Sequence, residues 1–250
     1  MPHYDFCTPR VYLDAPLAEG LAVSFDRAQA NYLLNVLRLK PGDTLLLFNG
    51  RDGEWQVRLA GTGKRAPTAV IGERMREQPR PSDLHFLFAP LKHARLDYLV
   101  QKAVEMGAAR LQPVITRHTQ VARVNLDSMR ANVIEAAQQC GILTLPEVAD
   151  PVAFKAAIGG ADADRLLVFC DEDAEVKDPV AALAAAARAG LPLAVLIGPE
   201  GGFAEEERDS LLKRPNVVRI ALGPRILRAD TAAVAALALV QAVLGDWRSS

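Results

Sequence analysis

The stretch AVLIGPEGGFAEEERDSLL, residues 194–212, closes an apolar run with Gly198-Pro199-Glu200-Gly201-Gly202. It then opens a helix-like segment bearing Glu205, Glu206, Glu207 and Asp209. A glycine-rich turn between a strand and a helix usually holds phosphate, because the first N–H groups of the helix point outward and its dipole favours negative charge. Here the first turn of the helix already carries that negative charge. It complements the dipole and repels an arriving phosphate. The ligand expected at this turn is neutral or positive near the helix, and glycines let a flat group approach bare backbone. The same spacing also suits a plain strand-to-helix turn with acidic capping.

A second irregular loop sharpens the choice. LGPRILRADTAA, residues 222–233, again follows an apolar strand and precedes a helix, with Asp230 or Thr231 placed to cap it. Two such loops after successive parallel strands lie at one end of the sheet, where ligands bind. They outline one pocket, with Gly198–Gly202 on one wall and Leu222–Arg228 on another.

The surrounding pattern is α/β. Apolar strands are expected at 84–90, 111–115, 166–170, 193–197 and 217–222. Helices are expected near 94–106, 126–140, 179–189, 204–213 and 230–244, with Gly107, Gly141 and Gly190 as C-caps. The alternation indicates a largely parallel sheet. The first of these strands runs into FAPLKHARLD with no glycine fingerprint, and no GK[ST] follows the later glycine turn. A nicotinamide or nucleotide-triphosphate site is therefore disfavoured.

Residues 1–77 have a different period. RVYL, LAVSF, DTLLLFNG, EWQVRLAG and TAVIGE read as short strands broken by Gly and Asp, and DRAQANYLLNVLRL reads as one helix among them. A small, mostly antiparallel barrel is expected, followed by the polar, proline-bearing linker EQPRPSD at 77–83.

Composition is that of a soluble globular chain: 250 residues, 50% apolar, 24% charged, net charge −1. No global basic signature points to nucleic acid, but seven Lys/Arg face three Asp/Glu between Lys92 and Arg130, with His93 and His118 added. That excess fits a solvated helix face or an anion-binding surface. Cys7, Cys140 and Cys170 suggest neither a disulfide framework nor a metal site, and a cytoplasmic location is expected. AAVAALALVQAVL at 232–244 is too short to span a bilayer and reads as a buried helix, so no membrane partner is expected.

IGPEGGF followed by LGPRILRADTA resembles the C-terminal signature of the RsmE family, 16S rRNA uridine-N3 methyltransferases of the SPOUT superfamily. VLRLKPGD at 36–43, LVQKAVEMGAARLQPVITR at 99–117 and EAAQQCG at 135–141 extend the likeness over nearly the whole chain. The resemblance implies an RNA-binding PUA-like β-barrel at 1–77 and a SPOUT methyltransferase domain with a trefoil knot at 78–250. It also implies a homodimer with its pocket near the interface, S-adenosylmethionine as cofactor, and 16S rRNA within the assembled 30S subunit as substrate. By this resemblance Gly198, Pro199, Glu200 and Gly201 line the cofactor, as do Leu222, Gly223, Ile226, Leu227, Arg228, Thr231 and Ala232. Phe169, beside Cys170 at its strand end, is a further candidate for a pocket wall.

Methylation at uracil N3 requires the N3 proton to leave, through a base or cations that stabilise the developing imidate. Arg228 is the candidate for that charge, or a structural partner of a carboxylate. Glu200 fits either a base or an acceptor of backbone amides, and no base is assigned. RNA contact falls to Arg10, Arg38, Lys92, Arg95, Lys102 and Arg117, which would set affinity rather than base identity. One departure stands out: relatives often carry arginine just after QCG, where this chain has Ile142, Leu143 and Thr144. Rival readings are another SPOUT methyltransferase with a different RNA, and a catalytically silent ribosome-assembly factor.

Overall fold

The computed structural model describes residues 5, 7–61, 67–121, 123–160, 164–175, 178–187 and 191–249. The chain folds as two compact units. One comprises Met1–Arg80 and Ala137–Leu145, the other Pro81–Ala136 and Pro146–Ser250.

In the first unit, β1 (Arg10–Tyr12), β2 (Ala22–Ser24), β3 (Thr44–Phe48), β4 (Glu54–Leu59) and β5 (Thr68–Arg76) form a five-stranded sheet in the order β1-β3-β4-β5-β2. All neighbours are antiparallel except β1, which lies parallel to β3. Inward positions such as Leu45, Leu47, Val57, Leu59 and Ile71 pack one core with Phe25 and Leu33. The helix expected over 26–39 is interrupted. It starts with a capping box between Asp26 and Gln29, runs as α1 (Arg27–Asn31), and widens into a π-helical turn over Tyr32–Val36 that buries Leu33. The chain then leaves through Arg38 at φ 56.

The returning segment, 137–145, belongs to this unit. Gln138 Oε1 accepts from the Tyr12 N–H at 2.8 Å, and Arg76 Nη2 donates to the Gly141 carbonyl at 2.9 Å. Leu143 is buried. The stretch that departs from the resembled family is thus used here partly for packing.

In the second unit, β6 (Leu84–Phe88), β7 (Arg110–Ile115), β8 (Glu147–Val148), β10 (Leu166–Cys170), β11 (Leu193–Ile197) and β12 (Val217–Ile220) pair in the order β12-β10-β11-β6-β7-β8. A short β9 (Val152–Ala153) also pairs with β7, and every pairing in this unit is parallel. The helices are α2 (His93–Glu105), α3 (Leu126–Cys140), whose residues from Ala137 on belong to the first unit, α4 (Phe154–Gly159), α5 (Pro179–Ala186), α6 (Glu205–Leu212) and α7 (Ala229–Val243), which follows the last strand. Short β8, β9 and α4 were not anticipated. Gly107 and Gly141 follow α2 and α3 at φ 78 and 65, while Gly190 lies outside the described residues. The apolar 232–244 stretch belongs to α7, which buries Ala233, Ala236, Leu237 and Val240. No helix among the described residues is long and apolar enough to cross a membrane.

One expected surface charge is internal. Arg10 is almost fully buried and pairs with Glu54, which also binds Arg76 through Nε at 2.7 Å and Nη2 at 2.8 Å. Arg10 is therefore corrected from an RNA contact to part of a buried Arg–Glu–Arg triad. Burial raises the Glu54 pKa, but hydrogen bonds and charge from Arg76 and Arg10 outweigh it and hold the carboxyl below the usual glutamate value. Its ionised form thus adds stability above the unfolded-state pKa of about 4.3, and that contribution is lost as pH falls through the lower folded value. Glu54→Gln is expected to cost about 3 kcal/mol near neutrality, because it strands two buried guanidinium groups. Urea unfolding followed by Trp55 fluorescence, in a Trp247→Phe background, checks this. The gap between variant and parent should narrow below about pH 4.

Candidate active site

The sheet order places β10 between β11 and β12. Because all three run the same way, the chain leaves each of them at one edge. The loops after them line a single cavity of about 950 Å³. The glycine loop contributes Gly198, Pro199, Glu200 and Gly201, and the loop after β12 contributes Leu222, Gly223, Ile226, Leu227 and Arg228. Ala232 follows from α7. The third wall, Cys170–Glu172 with Ala174, comes from the loop after β10. The sequence reading placed only Phe169 and Cys170 near it.

Two expected lining residues do not reach the cavity. Phe169 is fully buried and meets the Phe203 ring edge-on, with centroids 5.2 Å apart. It supports the wall from beneath. Thr231 is exposed in the first turn of α7 and is absent from the cavity lining. The cap of α7 also differs from expectation. Arg228 occupies the N-cap with extended backbone and no side-chain cap bond, while Asp230 sits inside the helix and accepts the Thr231 N–H at 2.8 Å.

The glycines serve the protein's own packing. A Cβ on Gly198 would lie 2.5 Å from Cε2 of Phe203, and one on Gly201 would lie 3.3 Å from Cβ of His118. His118 Nδ1 stands 3.2 and 3.1 Å from the Gly201 and Gly202 carbonyls. Two acceptors facing one ring nitrogen require that nitrogen to carry the proton. The close approach anticipated for a ligand is thus made at these two positions by side chains.

Acids at the site are matched. Glu207 Oε2 accepts the Ala204 N–H at 3.1 Å, taking a donor at the head of α6. The fully buried Asp171 carboxylate receives Arg219 Nε at 2.7 Å and Arg208 Nη2 at 3.0 Å. Asp171, Glu172 and Asp173 are close enough to share a cation, but the two guanidinium groups already supply positive charge there. Desolvation, with the Asp171 charge adding to it, pushes the Cys170 thiol up to about 12, so this thiol stays protonated and is no nucleophile. Nothing in the sequence reading identified Arg208 or Arg219. The triple acid directly after an apolar strand was the available signal.

The expected RNA contacts divide. Arg95 is committed: it forks onto Asp230 at 2.9 and 3.2 Å and also pairs with Glu200. Its hydrogen bond is the main reason that the Asp230 carboxyl lies below its usual value. Lys102 binds Glu105 at 2.7 Å and lies 5.5 Å from the Tyr98 ring centroid. Arg95 is thereby corrected from an open RNA contact to an internal partner, while Lys102 keeps a half-buried pair along its own helix. Arg117 is exposed, with a long 3.4 Å pair to Glu206, which contributes little. Arg38 and Lys92 are exposed. Arg225 and Arg228 are exposed at the cavity and have no ion pair among the described residues.

Comparison with known proteins places this geometry. Residues 78–241 match the family model described as RNA methyltransferase domain, and residues 25–72 match the RNA methyltransferase PUA domain. Ribosomal RNA small subunit methyltransferase E of Rickettsia conorii is 30% identical over 93% of this chain and 94% of its own length. The crystal structure of a ribosomal RNA small subunit methyltransferase E from Neisseria gonorrhoeae, bound to S-adenosyl methionine, superposes with a TM-score of 0.82 at 27% identity, covering 96% of this chain and 99% of that one. A Legionella pneumophila methyltransferase in complex with the same cofactor gives 0.79 at 28% identity, covering 96% and 99%.

Gly198→Ala should force the Phe203 ring off its contact with Phe169 and destabilise the protein by about 1–3 kcal/mol. Thermal unfolding checks this, and Phe203→Leu should recover part of the loss in the double variant by vacating the space the new methyl needs.

Proposed function

The chain belongs to the ribosomal RNA small subunit methyltransferase E family, and from that premise we propose that it transfers a methyl group from S-adenosylmethionine to N3 of a uridine in the decoding region of 16S rRNA. The observation that carries the reading is the cavity where GPEGG and GPRILR meet at one edge of a parallel sheet.

The residues present suit this cofactor. About 950 Å³ is room for a ligand of its size. Glu207 and the acids beside it disfavour a phosphate at the head of α6, whereas S-adenosylmethionine carries no phosphate, and the single carboxylate of its methionyl tail can be received by backbone N–H groups elsewhere in the cavity. Gly223, at φ 99 with nothing within 4 Å of a built Cβ, leaves backbone open on the second wall. Gly198, Pro199, Glu200, Gly201, Leu222, Gly223, Leu227 and Ala232 would hold the cofactor. When bound, it supplies an electrophilic methyl group on a positively charged sulfur.

The chain's own residues must then present the uracil edge and stabilise the charge that develops as N3 loses its proton. Arg228, exposed at the cavity with no carboxylate partner among the described residues, fits that role. Glu200 does not fit the base, because Arg95 occupies it. The target edge is one used in base pairing, so the uridine must be unpaired or flipped. Residues 1–77 would act as the RNA-binding barrel and 78–250 as the catalytic domain with its trefoil knot. Arg38, Lys92 and Arg117 supply the exposed positive charge. A cytoplasmic homodimer acting on the assembled 30S subunit completes the reading, and Ile226, 93% exposed beside the cavity, supports a second subunit covering that loop.

The test is nucleoside mass spectrometry of 16S rRNA after incubating the protein and S-adenosylmethionine with small subunits from cells lacking the enzyme. New 3-methyluridine, absent without cofactor, is the expected result. Cofactor binding without product would favour a different RNA or a silent assembly factor. Arg228→Ala should leave the melting temperature within about 1 °C, as expected of an exposed side chain. It should lower kcat by about 10²-fold, the scale of losing one stabilising donor. An unchanged kcat would remove Arg228 from the mechanism.

A further inference from the structure

The two loops that carry the cavity's signature motifs are not neighbours in the sheet. β11 and β12 are separated by β10, so no strand ladder holds the glycine loop against the start of α7. α7 packs on β11 and α2, and among the described residues the side chain of Arg95, from a third element, adds an ion-paired link between the two loops. Arg95 sits in the first turn of α2, which follows β6, the strand paired with β11 on its far side. From there its guanidinium spans this edge of the sheet. Nη1 pairs with Glu200 of the glycine loop, while Nε and Nη2 donate to the two oxygens of Asp230 at 2.9 and 3.2 Å.

The placement is specific. The first turn of α2 has no acidic residue to compete for the guanidinium, and the two partners lie 105 and 135 residues away in sequence. The side chains of Arg95 and Asp230 are only 30% and 17% exposed, so the pair is shielded more than a surface ion pair. The backbone leading into Arg95 is unusual: His93 stands at φ 32, in the left-handed region that side-chain-bearing residues rarely adopt. Such a conformation persists where its surroundings hold it in place, and it is common beside functional sites. Just upstream, the Ala89 N–H bonds to the Ile197 carbonyl at 3.0 Å, which fixes the head of this loop to the end of β11.

We propose that Arg95 is a positioning residue for the cofactor cavity: by bridging Glu200 and Asp230 it sets the separation of the glycine loop from the GPRILR loop and α7. The inference rests on the cofactor reading above. Arg95 does not line the cavity; it acts through Glu200, which does, and through Asp230, whose helix supplies Ala232. A guanidinium suits the task because its planar fork engages two carboxylates at once, which a lysine ammonium does with less geometric control.

The experiment is titration calorimetry of S-adenosylmethionine into the full-length protein, alongside small-subunit binding across a salt series, for wild type, Arg95→Gln and Arg95→Lys. Arg95→Gln should raise the cofactor Kd at least about tenfold, equivalent to about 1.4 kcal/mol. Arg95→Lys should lie between it and wild type, and the slope of RNA affinity against salt should stay unchanged. If Arg95→Gln folds poorly because Asp230 is left unpaired, the double variant Arg95→Gln/Asp230→Asn removes that charge and must show the same loss of cofactor affinity. A brace that only stabilises the fold would lower the melting temperature and leave Kd at 25 °C unchanged, which overturns the proposal. An unchanged cofactor Kd with a salt slope shallower by about one overturns it in favour of a phosphate contact. Failure of the wild-type protein to bind the cofactor removes the cofactor reading itself. Normal binding by wild type and Arg95→Gln alike removes only the positioning role.

Discussion

The parallel pairing of β10 with both β11 and β12 is the constraint from which the site follows. Val168 is in register with Val195 on one side and Val218 on the other. Parallel strands need crossovers, and the helices that make them return the chain to the opposite edge. Every strand of the second unit therefore ends at the same edge, and the loops after β10, β11 and β12 have one place to go. The ladder satisfies the backbone within the strands but not beyond them. The loops must find partners among side chains or in a ligand, and this is where the protein concentrates its acids, glycines and arginines.

Those acids are distributed among fixed partners. Asp171 has Arg208 and Arg219, Glu200 and Asp230 share Arg95, and Glu207 takes the Ala204 N–H. These pairs lock loop to loop. Three arginines from three elements (α2, α6 and β12) thus set the shape of a cavity that the strands alone would only locate. Arg225 and Arg228, with no ion pair among the described residues, are left as the available cations at its mouth.

The sequence made the strands legible because a parallel sheet covered on both faces demands near-continuous apolar runs. LHFLF, LLVFC and LAVLI have no other ready use. Helix ends were legible through Gly107 and Gly141, since caps are local chemistry. Three things were not. Strand order cannot be read from runs that look alike, so the place of β10 between β11 and β12 was not legible, and of the wall it supplies only Phe169 and Cys170 were named. Two-residue strands such as β8 carry too little pattern to register. The arginines misled for the opposite reason. The carboxylates that Arg10 and Arg95 pair with, Glu54 for one and Glu200 and Asp230 for the other, lie far away in sequence, so they become partners only once the chain has folded.

The glycine loop closes the argument about charge. Gly198 and Gly201 look like the openings of a phosphate cradle, yet Phe203 and His118 fill the space their missing side chains leave. Phe203 is in turn held against Phe154 and Phe169, so the turn is fastened to the core of the sheet rather than shaped around a ligand. A phosphate cradle also needs free N–H groups and a bare positive pole at the head of the next helix. Here Glu207 has turned back onto Ala204, and Glu205 and Glu206 add charge of the wrong sign. What the loop offers is a rim beside a cavity whose other walls carry open backbone at Gly223 and the guanidinium groups of Arg225 and Arg228, which have no ion pair among the described residues. A ligand recognised there is held by shape and by backbone groups rather than by an anion hole. That suits the adenine and sulfonium of S-adenosylmethionine, the cofactor bound in the solved relatives.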